Sequence, residues 1–350
     1  MARRDATTVI GWDIGGVNTK AARVDPRAGE SPEFRAVSAP YELWHEPDAL
    51  VPTLLRLARD LECPEGSPHA VTMTAELSQL FRTKRDGVEF ILDSLATALP
   101  GQPLQVYTVG GRFIGAGEAR NRPLEVAASN WAATARLVGR LVPDAILIDI
   151  GTTSTDLIPI VGGRVEAVGR TDPARLSSGE LVYTGALRTP TEALARDVPL
   201  WGGRAAVSAE GFALIGDVHL WLGRLAPDDY TVPSPDGRPA TREFAGERLA
   251  RVVCGDREML DEAAIDEIAR ALAEAQVELV AAALERVRQR WPRVSTAVVT
   301  GLGDFIAAEA ASRAGLRVMP LSDRLGPAAR TAPALAVAWL LSDELASLPR

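Results

Sequence analysis

One short pattern occurs twice in this chain, and it restricts the fold more than any other feature. The first copy is Val9-Ile10-Gly11-Trp12-Asp13-Ile14-Gly15-Gly16-Val17-Asn18-Thr19-Lys20-Ala21-Ala22-Arg23-Val24: an apolar run ending in Asp-Ile-Gly, small polar residues, then a second apolar run. The second copy repeats this grammar in Ala145-Ile146-Leu147-Ile148-Asp149-Ile150-Gly151-Thr152-Thr153-Ser154-Thr155-Asp156-Leu157-Ile158-Pro159-Ile160. A glycine stretch that binds a dinucleotide, or forms a P-loop, opens a helix. These two return instead to a β-like run, so each reads as strand, turn, strand. One copy would be an ordinary hairpin. Two copies predict a duplicated domain whose loops face one cleft.

The turns have the composition of anion sites. Gly15 and Gly16 are expected to take positive φ and to let backbone N–H groups approach an anion. Asn18, Thr19 and Lys20 add donors and one positive charge at the mouth of the first turn. Gly151, Thr152 and Thr153 are their counterparts in the second. Asp13 and Asp149 stand at matching positions, which argues for a role beyond capping a turn. For Lys20 the bland alternative is a strand residue facing solvent.

Between and after the hairpins the chain alternates strand and helix patterns. Strands are expected over 8–12, 20–24 and 34–39, then a helix over 48–62 behind Pro47 and a buried strand over 69–75 that ends at Glu76. A carboxylate there points into the crevice where α/β folds bind ligands, or else caps a helix. Arg82, Lys84 and Arg85 form either a solvated turn or the local cations that a diphosphate needs. A helix over 88–99, a strand over 104–109 and a helix over 123–142 complete the first unit, with Ser129 read as packing and Asn130 as a polar contact. The second unit starts with strands over 145–150, 156–160 and 164–168, the last two joined at Gly162-Gly163. Residues 171–256 are weakly periodic and read as an insertion that shapes a substrate pocket, with exposed turns at Asp228-Asp229 and 234–239. A helix over 258–290, a strand over 297–304 with Gly301 and Gly303 in its turn, a helix over 305–314, a strand over 316–321 and a helix over 328–345 follow. The expected domains are 1–143 and 144–350.

Composition excludes several classes of partner. The net charge of −8 provides no global attraction for nucleic acid or an anionic membrane, so a polyphosphate site needs local cations or metal. Cys63 and Cys254 are expected to be reduced thiols. His45, His69 and His219 show no metal-ligand spacing. The apolar run 332–341 is too short to span a bilayer. Arg3 and Arg4 lead straight into the first strand with no signal-peptide core, so the expected location is the cytoplasm.

The two hairpins resemble the paired phosphate loops of the actin-like ATPase superfamily, and the order βββαβαβα resembles its ribonuclease-H-like building block. The implied fold class is α/β, with two such domains facing a central cleft. Five runs narrow the match: Asp13–Lys20, Thr74–Leu77, Thr83–Val88, Asp149–Pro159 and Gly179–Pro190. Together they are similar to the hydantoinase/oxoprolinase-like branch linked to tetrahydromethanopterin-dependent C1 transfer. The Gly179–Pro190 run is the most specific of them.

That resemblance implies a transferase for which ATP is not expected to be consumed. An aminomethyl-furanmethyl diphosphate is joined, as an ether, to the phenol of a tyramine or tyrosine derivative, and pyrophosphate leaves. Mg²⁺ near Asp13 and Asp149, the hairpin N–H groups, Lys20 and Lys84 would stabilise the leaving diphosphate. Glu76 is the implied base for a phenol whose ordinary pKa is about 10, with Asp156 next in line. Tyr183, Arg188 and Asn130 are the implied substrate contacts, with holding the insertion together as the alternative for Arg175, Tyr183 and Arg188. The turn at Gly301 and Gly303 resembles an adenosine motif. An ATP-dependent kinase or oxoprolinase-like hydrolase, and a non-enzymatic nucleotide-binding protein, are the alternatives. The expected partners are small molecules, not nucleic acid or membrane, and the oligomeric state stays open, a homo-oligomer included.

Overall fold

The structure is a computed structural model that describes residues 7–27 and 32–347. Arg3 and Arg4 lie outside the described residues. The chain opens with the meander β1 (Val9–Ile14), β2 (Asn18–Asp25) and β3 (Glu33–Pro40). It continues through α1 (Leu50–Asp60), β4 (His69–Met73), α2 (Lys84–Ala98), β5 (Leu104–Tyr107), β6 (Phe113–Gly115), α3 (Ala116–Asn121), α4 (Pro123–Val126) and α5 (Asn130–Leu141). These strands form one sheet in the order β3-β2-β1-β4-β5-β6, with β1 antiparallel to β2 and parallel to β4.

Next come β7 (Ala145–Ile150), β8 (Thr155–Val161), β9 (Arg164–Val165), α6 (Asp172–Ser178), β10 (Leu181–Val182), β11 (Asp197–Leu200), β12 (Gly203–Ala206), α7 (Ile215–Trp221), α8 (Arg242–Arg251) and α9 (Glu262–Arg290). The chain closes with β13 (Thr296–Gly301), α10 (Asp304–Arg313), β14 (Arg317–Pro320), α11 (Ser322–Leu325) and α12 (Ala332–Ser347). The second sheet runs β10-β8-β7-β13-β14, and β7 and β14 both lie parallel to β13.

Two compact units result; their first boundary falls at 144/145, one residue from the expected one, but two later segments return to the first unit. The first holds the residues up to Asp144, then Ile160–Asp172, then Leu321 onward; the second holds Ala145–Pro159 and Pro173–Pro320. The return of α12 to the first unit has a clear physical cause. Ile10, Trp12 and Ile14 point to one side of β1, into a core with Leu50, Leu54 and Leu57 of α1 and Val88, Ile91 and Leu95 of α2. Alternation sends Gly11 to the other side, where α12 lies so close that a Cβ on Gly11 would run into the Ala334 carbonyl oxygen and stand 2.9 Å from Ala338 Cβ. The small residues Ala334, Ala336 and Ala338 make that approach feasible.

Five sequence expectations change in detail. The helix read over 123–142 is broken, because Ala128 takes φ 50° and Ala127 makes a parallel bridge to Met73 instead of continuing a helical turn. The helix read from residue 88 starts at Lys84, and the one read from 258 starts at Glu262, behind the cap that the Asp261 side chain supplies to Ala264 N–H. The 171–256 segment is also more than an insertion, since β10 pairs with β8 through Leu181 opposite Asp156. Its remainder builds a core from Val198, Ile215, Val218, Trp221 and Leu249 against Ile265 and Leu272 of α9. Asp236, expected in an exposed turn, instead accepts from the fully buried Arg248 at 3.0 Å.

Candidate active site

Each Asp-Ile-Gly turn is closed by the same bond. Gly15 N–H donates to Asn18 O at 3.0 Å, and Gly151 N–H donates to Ser154 O at 3.0 Å. The repetition seen in sequence is thus a repetition of backbone geometry. Positive φ is not its means, because none of Gly15, Gly16 and Gly151 adopts it. Gly15 is needed for closeness instead: a Cβ there would stand 2.5 Å from Asn18 O.

In the first unit, Asp13 is buried and opposite Lys20 in the β1–β2 register, with Lys20 Nζ 3.6 Å from its Oδ2. Asn18 and Lys20 share the half-exposed face of β2. Thr19 does not stand at the mouth of the turn as expected. Alternation turns its hydroxyl to the buried face, and its backbone lies in the ladder between β1 and β3, opposite Ile14 and Ala39.

Glu76 lies one turn past the end of β4, in the short helical turn Ala75–Leu77, and is 1% exposed. Lys84 Nζ lies 3.4 Å from Glu76 Oε1 and 2.6 Å from Asp172 Oδ2. Lys84, expected on the diphosphate, is therefore engaged by two carboxylates of its own unit. Burial pushes Glu76 up to about 7, against the opposing pull of the Lys84 ammonium. Burial alone would lower Lys84, but Glu76 and Asp172 together hold it above the ordinary lysine range.

The run Thr83-Lys84-Arg85-Asp86-Gly87 explains this placement. Thr83 Oγ1 accepts from Asp86 N–H, and the Asp86 carboxylate accepts from Thr83 N–H, a capping box that fixes the first turn of α2. Gly87 then lets that turn lie on the backbone of Glu76, since a Cβ would stand 2.6 Å from Glu76 Cα. Asp172 carried no such signal, because it lies 88 residues from Lys84 in the chain. Ser129 donates to or accepts from Thr72 at 2.8 Å in the core, consistent with packing. Asn130 is half-buried at the start of α5.

In the second unit the turn after Asp149 is clasped from two sides. Ala186 N–H donates to Gly151 O, and Leu187 and Arg188 N–H both donate to Thr152 O, at 2.9–3.1 Å. A Cβ on Gly185 would stand 2.6 Å from Thr152 C. The Gly179–Pro190 run thus lies directly on Gly151, Thr152 and Thr153, with Tyr183 and Arg188 exposed beside it. On the other side, Gly303 N–H donates to Ile150 O at 2.9 Å, and Gly301, at φ 93°, leaves no room for a Cβ, which would come within 2.6 Å of Asp149 Oδ1. Arg175 does not reach for substrate: it is buried and bonds Asp156 at 2.6 Å.

A buried polar chain that the sequence did not reveal holds the clasp. Gln276 Nε2 on α9 donates to Thr184 Oγ1 at 2.9 Å and to Gly185 O at 2.8 Å. That orientation leaves Oε1 to accept from His219 Nε2 at 2.8 Å. Burial lowers His219 to about 4, so it is a neutral donor near pH 7. Gly185→Ala is expected to displace the Gly151–Thr153 turn and to lower turnover by about 10²-fold. Near-ultraviolet circular dichroism should stay close to wild type, and unchanged turnover would count against the clasp.

Among the described residues no group of three or more His, Cys, Asp or Glu is gathered as a metal site, and no helix is long and apolar enough to cross a membrane.

Comparison with known proteins agrees with the fold and narrows the family. The chain superposes on a nucleotide-free structure of acetone carboxylase with a TM-score of 0.61, covering 94% of this chain and 70% of that one, at 13% identity. That likeness concerns fold alone, and the fold is the α/β architecture of the actin-like ATPases. In sequence, the chain is 34% identical over 339 residues to the (4-{4-[2-(γ-L-glutamylamino)ethyl]phenoxymethyl}furan-2-yl)methanamine synthase of Methanocaldococcus jannaschii, covering 96% of this chain and 98% of that protein. The enzyme of the same name from Methanococcus vannielii is 32% identical over 207 residues, covering 58% of this chain and 92% of that protein. The hydantoinase/oxoprolinase family profile matches residues 68–344, a span that includes Glu76, Lys84, the whole second turn and the segment that clasps it. With that span and a relative alike along almost all of its length, the chain belongs to the hydantoinase/oxoprolinase family.

Proposed function

We propose that this protein is a transferase of methanofuran-type biosynthesis. It condenses an aminomethyl-furanmethyl diphosphate with the phenol of a tyramine or tyrosine derivative. The observation that carries this reading is the 34% identity, over nearly the full chain, to a synthase whose name describes such a phenoxymethyl-furan ether. In the reaction the phenol oxygen attacks the furan methylene carbon, the C–O bond to the diphosphate breaks, and pyrophosphate leaves with the bonding electrons. The phenol proton passes to Glu76.

Glu76 suits that role because a carboxylate raised to about 7 is a better base than an ordinary one and is still about half ionised near neutral pH. The leaving group needs cations and N–H donors. In the first unit Lys20 and the Gly15–Gly16 turn carry such groups, and in the second unit the Gly151–Thr153 turn does; Asn130 in the first and Tyr183 and Arg188 in the second are the proposed contacts to the organic parts of the substrates. Each turn also carries one carboxylate, Asp13 in the first and Asp149 in the second. One carboxylate with water and diphosphate oxygens is an ordinary Mg²⁺ donor set. A Mg²⁺ held there would neutralise charge on the leaving diphosphate.

Asp13→Asn is expected to abolish substrate-dependent release of pyrophosphate, while far-ultraviolet circular dichroism stays unchanged. Full activity of that variant at low Mg²⁺ would remove Asp13 from the mechanism. A second reading, an ATP-dependent enzyme of the same fold, draws support from the Gly301–Gly303 turn, which lies against Asp149 and Ile150 as an adenosine-type turn beside a phosphate loop would. ADP formed from ATP only when an organic substrate is present would favour it.

A further inference from the structure

We propose that Lys84 and Asp172 are positioning residues for the base: Asp172 anchors the Lys84 ammonium, which holds Glu76 Oε1 and leaves Oε2 to accept the proton. The inference rests on the reading of Glu76 as that base. Three features of the first unit point to it. Glu76 is buried, with Oε1 3.4 Å from Lys84 Nζ and Oε2 without a hydrogen-bond partner among the described residues. An unmatched buried carboxylate oxygen is costly unless the site uses it. Second, Lys84 is the first residue of α2, where a cation opposes the helix dipole, so helix stability does not explain it. Third, the Thr83–Asp86 capping box and the tight seat of Gly87 on Glu76 fix where the lysine stem begins. Asp172 Oδ2, 2.6 Å from Nζ, fixes where it ends. A long, flexible side chain is thereby confined to one place.

The charged groups that bear on Glu76 are Lys84 of α2 and Asp172 of α6. They act with opposite signs. Lys84 favours the carboxylate, whereas Asp172 repels it and shares the ammonium. Removing the charge of Asp172 leaves Lys84 wholly to Glu76 and ends the repulsion, so Glu76 becomes a weaker base. Removing the charge of Lys84 does the reverse. A pair that served only to hold the fold together would change stability without moving the acid limb of activity in opposite directions.

The test is the pH dependence of pyrophosphate release at saturating substrates for wild type, Asp172→Asn, Lys84→Met and Asp172→Glu. Alongside it, an infrared titration of the buried carboxyl band is run on the substrate-free proteins, with Glu76→Gln identifying the band. The acid limb should stand near pH 7 in wild type, about one unit lower in Asp172→Asn and about one unit higher in Lys84→Met. Turnover should fall up to about 10²-fold in both, and Asp172→Glu should bring the limb back towards wild type. Coincident limbs and coincident infrared titrations overturn the inference. Opposed infrared shifts in the two variants, with a wild type that forms no ether, keep the placement of Glu76 and overturn only the transferase reading.

Discussion

Glu76→Gln should lower ether formation by about 10²–10⁴-fold, the usual loss when one general base is removed. Pyrophosphate should still bind with near-normal affinity, because the glycine turns and Lys20 are untouched. The acid limb of the rate profile should disappear with the group that causes it. If the variant keeps full activity, the base lies elsewhere. Asp156, the next carboxylate by sequence, is a poor replacement because Arg175 occupies it at 2.6 Å. Loss of pyrophosphate binding would instead make Glu76 part of the anion site.

The same substitution carries a stability signature. Glu76 in the folded protein sits near 7, against an ordinary value of 4.5, so between those values the folded state binds more protons than the unfolded one. Stability therefore falls as pH rises through this window, and the buried carboxylate is a burden above pH 7. A difference of about 2.5 units corresponds to roughly 3 kcal/mol. Glu76→Gln should unfold at a higher temperature than wild type at pH 8, and the gain should vanish by about pH 4.5. A residue that lowers stability where the protein works is expected at a functional site.

Gly11→Ala should be the most damaging single methyl group in the first unit. The new Cβ would overlap the Ala334 carbonyl, and neither the central strand β1 nor the helix α12 can yield without moving its neighbours. Overpacking of this kind costs about 1–3 kcal/mol, and a backbone collision belongs at the top of that range. A fall in Tm of roughly 5–10 °C is expected by calorimetry. Asp13 lies two residues along on the same side of β1, so turnover should fall as well. A Tm equal to wild type would mean that α12 does not lie on Gly11 as described.

The fold was largely legible because its signals are local and periodic. The Asp-Ile-Gly grammar, the alternating runs around it and the spacing of Leu50, Leu54 and Leu57 each specify an element without knowledge of the rest. What escaped was non-local. Nothing near Gly11 says that a helix more than 300 residues later will lie on it, and Asp172 and Gln276 reach their partners only through the finished fold. The break at Ala128 escaped because Ala, Ser and Asn all tolerate a helix, and the bridge to Met73 overrides that preference. At the candidate site, Glu76 was legible from its place after a buried strand. The occupation of Lys84 by two carboxylates was not, because charge in sequence says nothing of how it is spent in space.

The most direct test is mass spectrometry of the products formed from this protein, Mg²⁺, the aminomethyl-furanmethyl diphosphate and each of tyrosine, tyramine and γ-glutamyl-tyramine. The expected product is an ether whose mass equals the sum of the two substrates less pyrophosphate, formed with one phenol in preference to the others and without ATP. Absence of any ether, together with ADP appearing only when ATP and an organic substrate are supplied, would contradict the transferase reading.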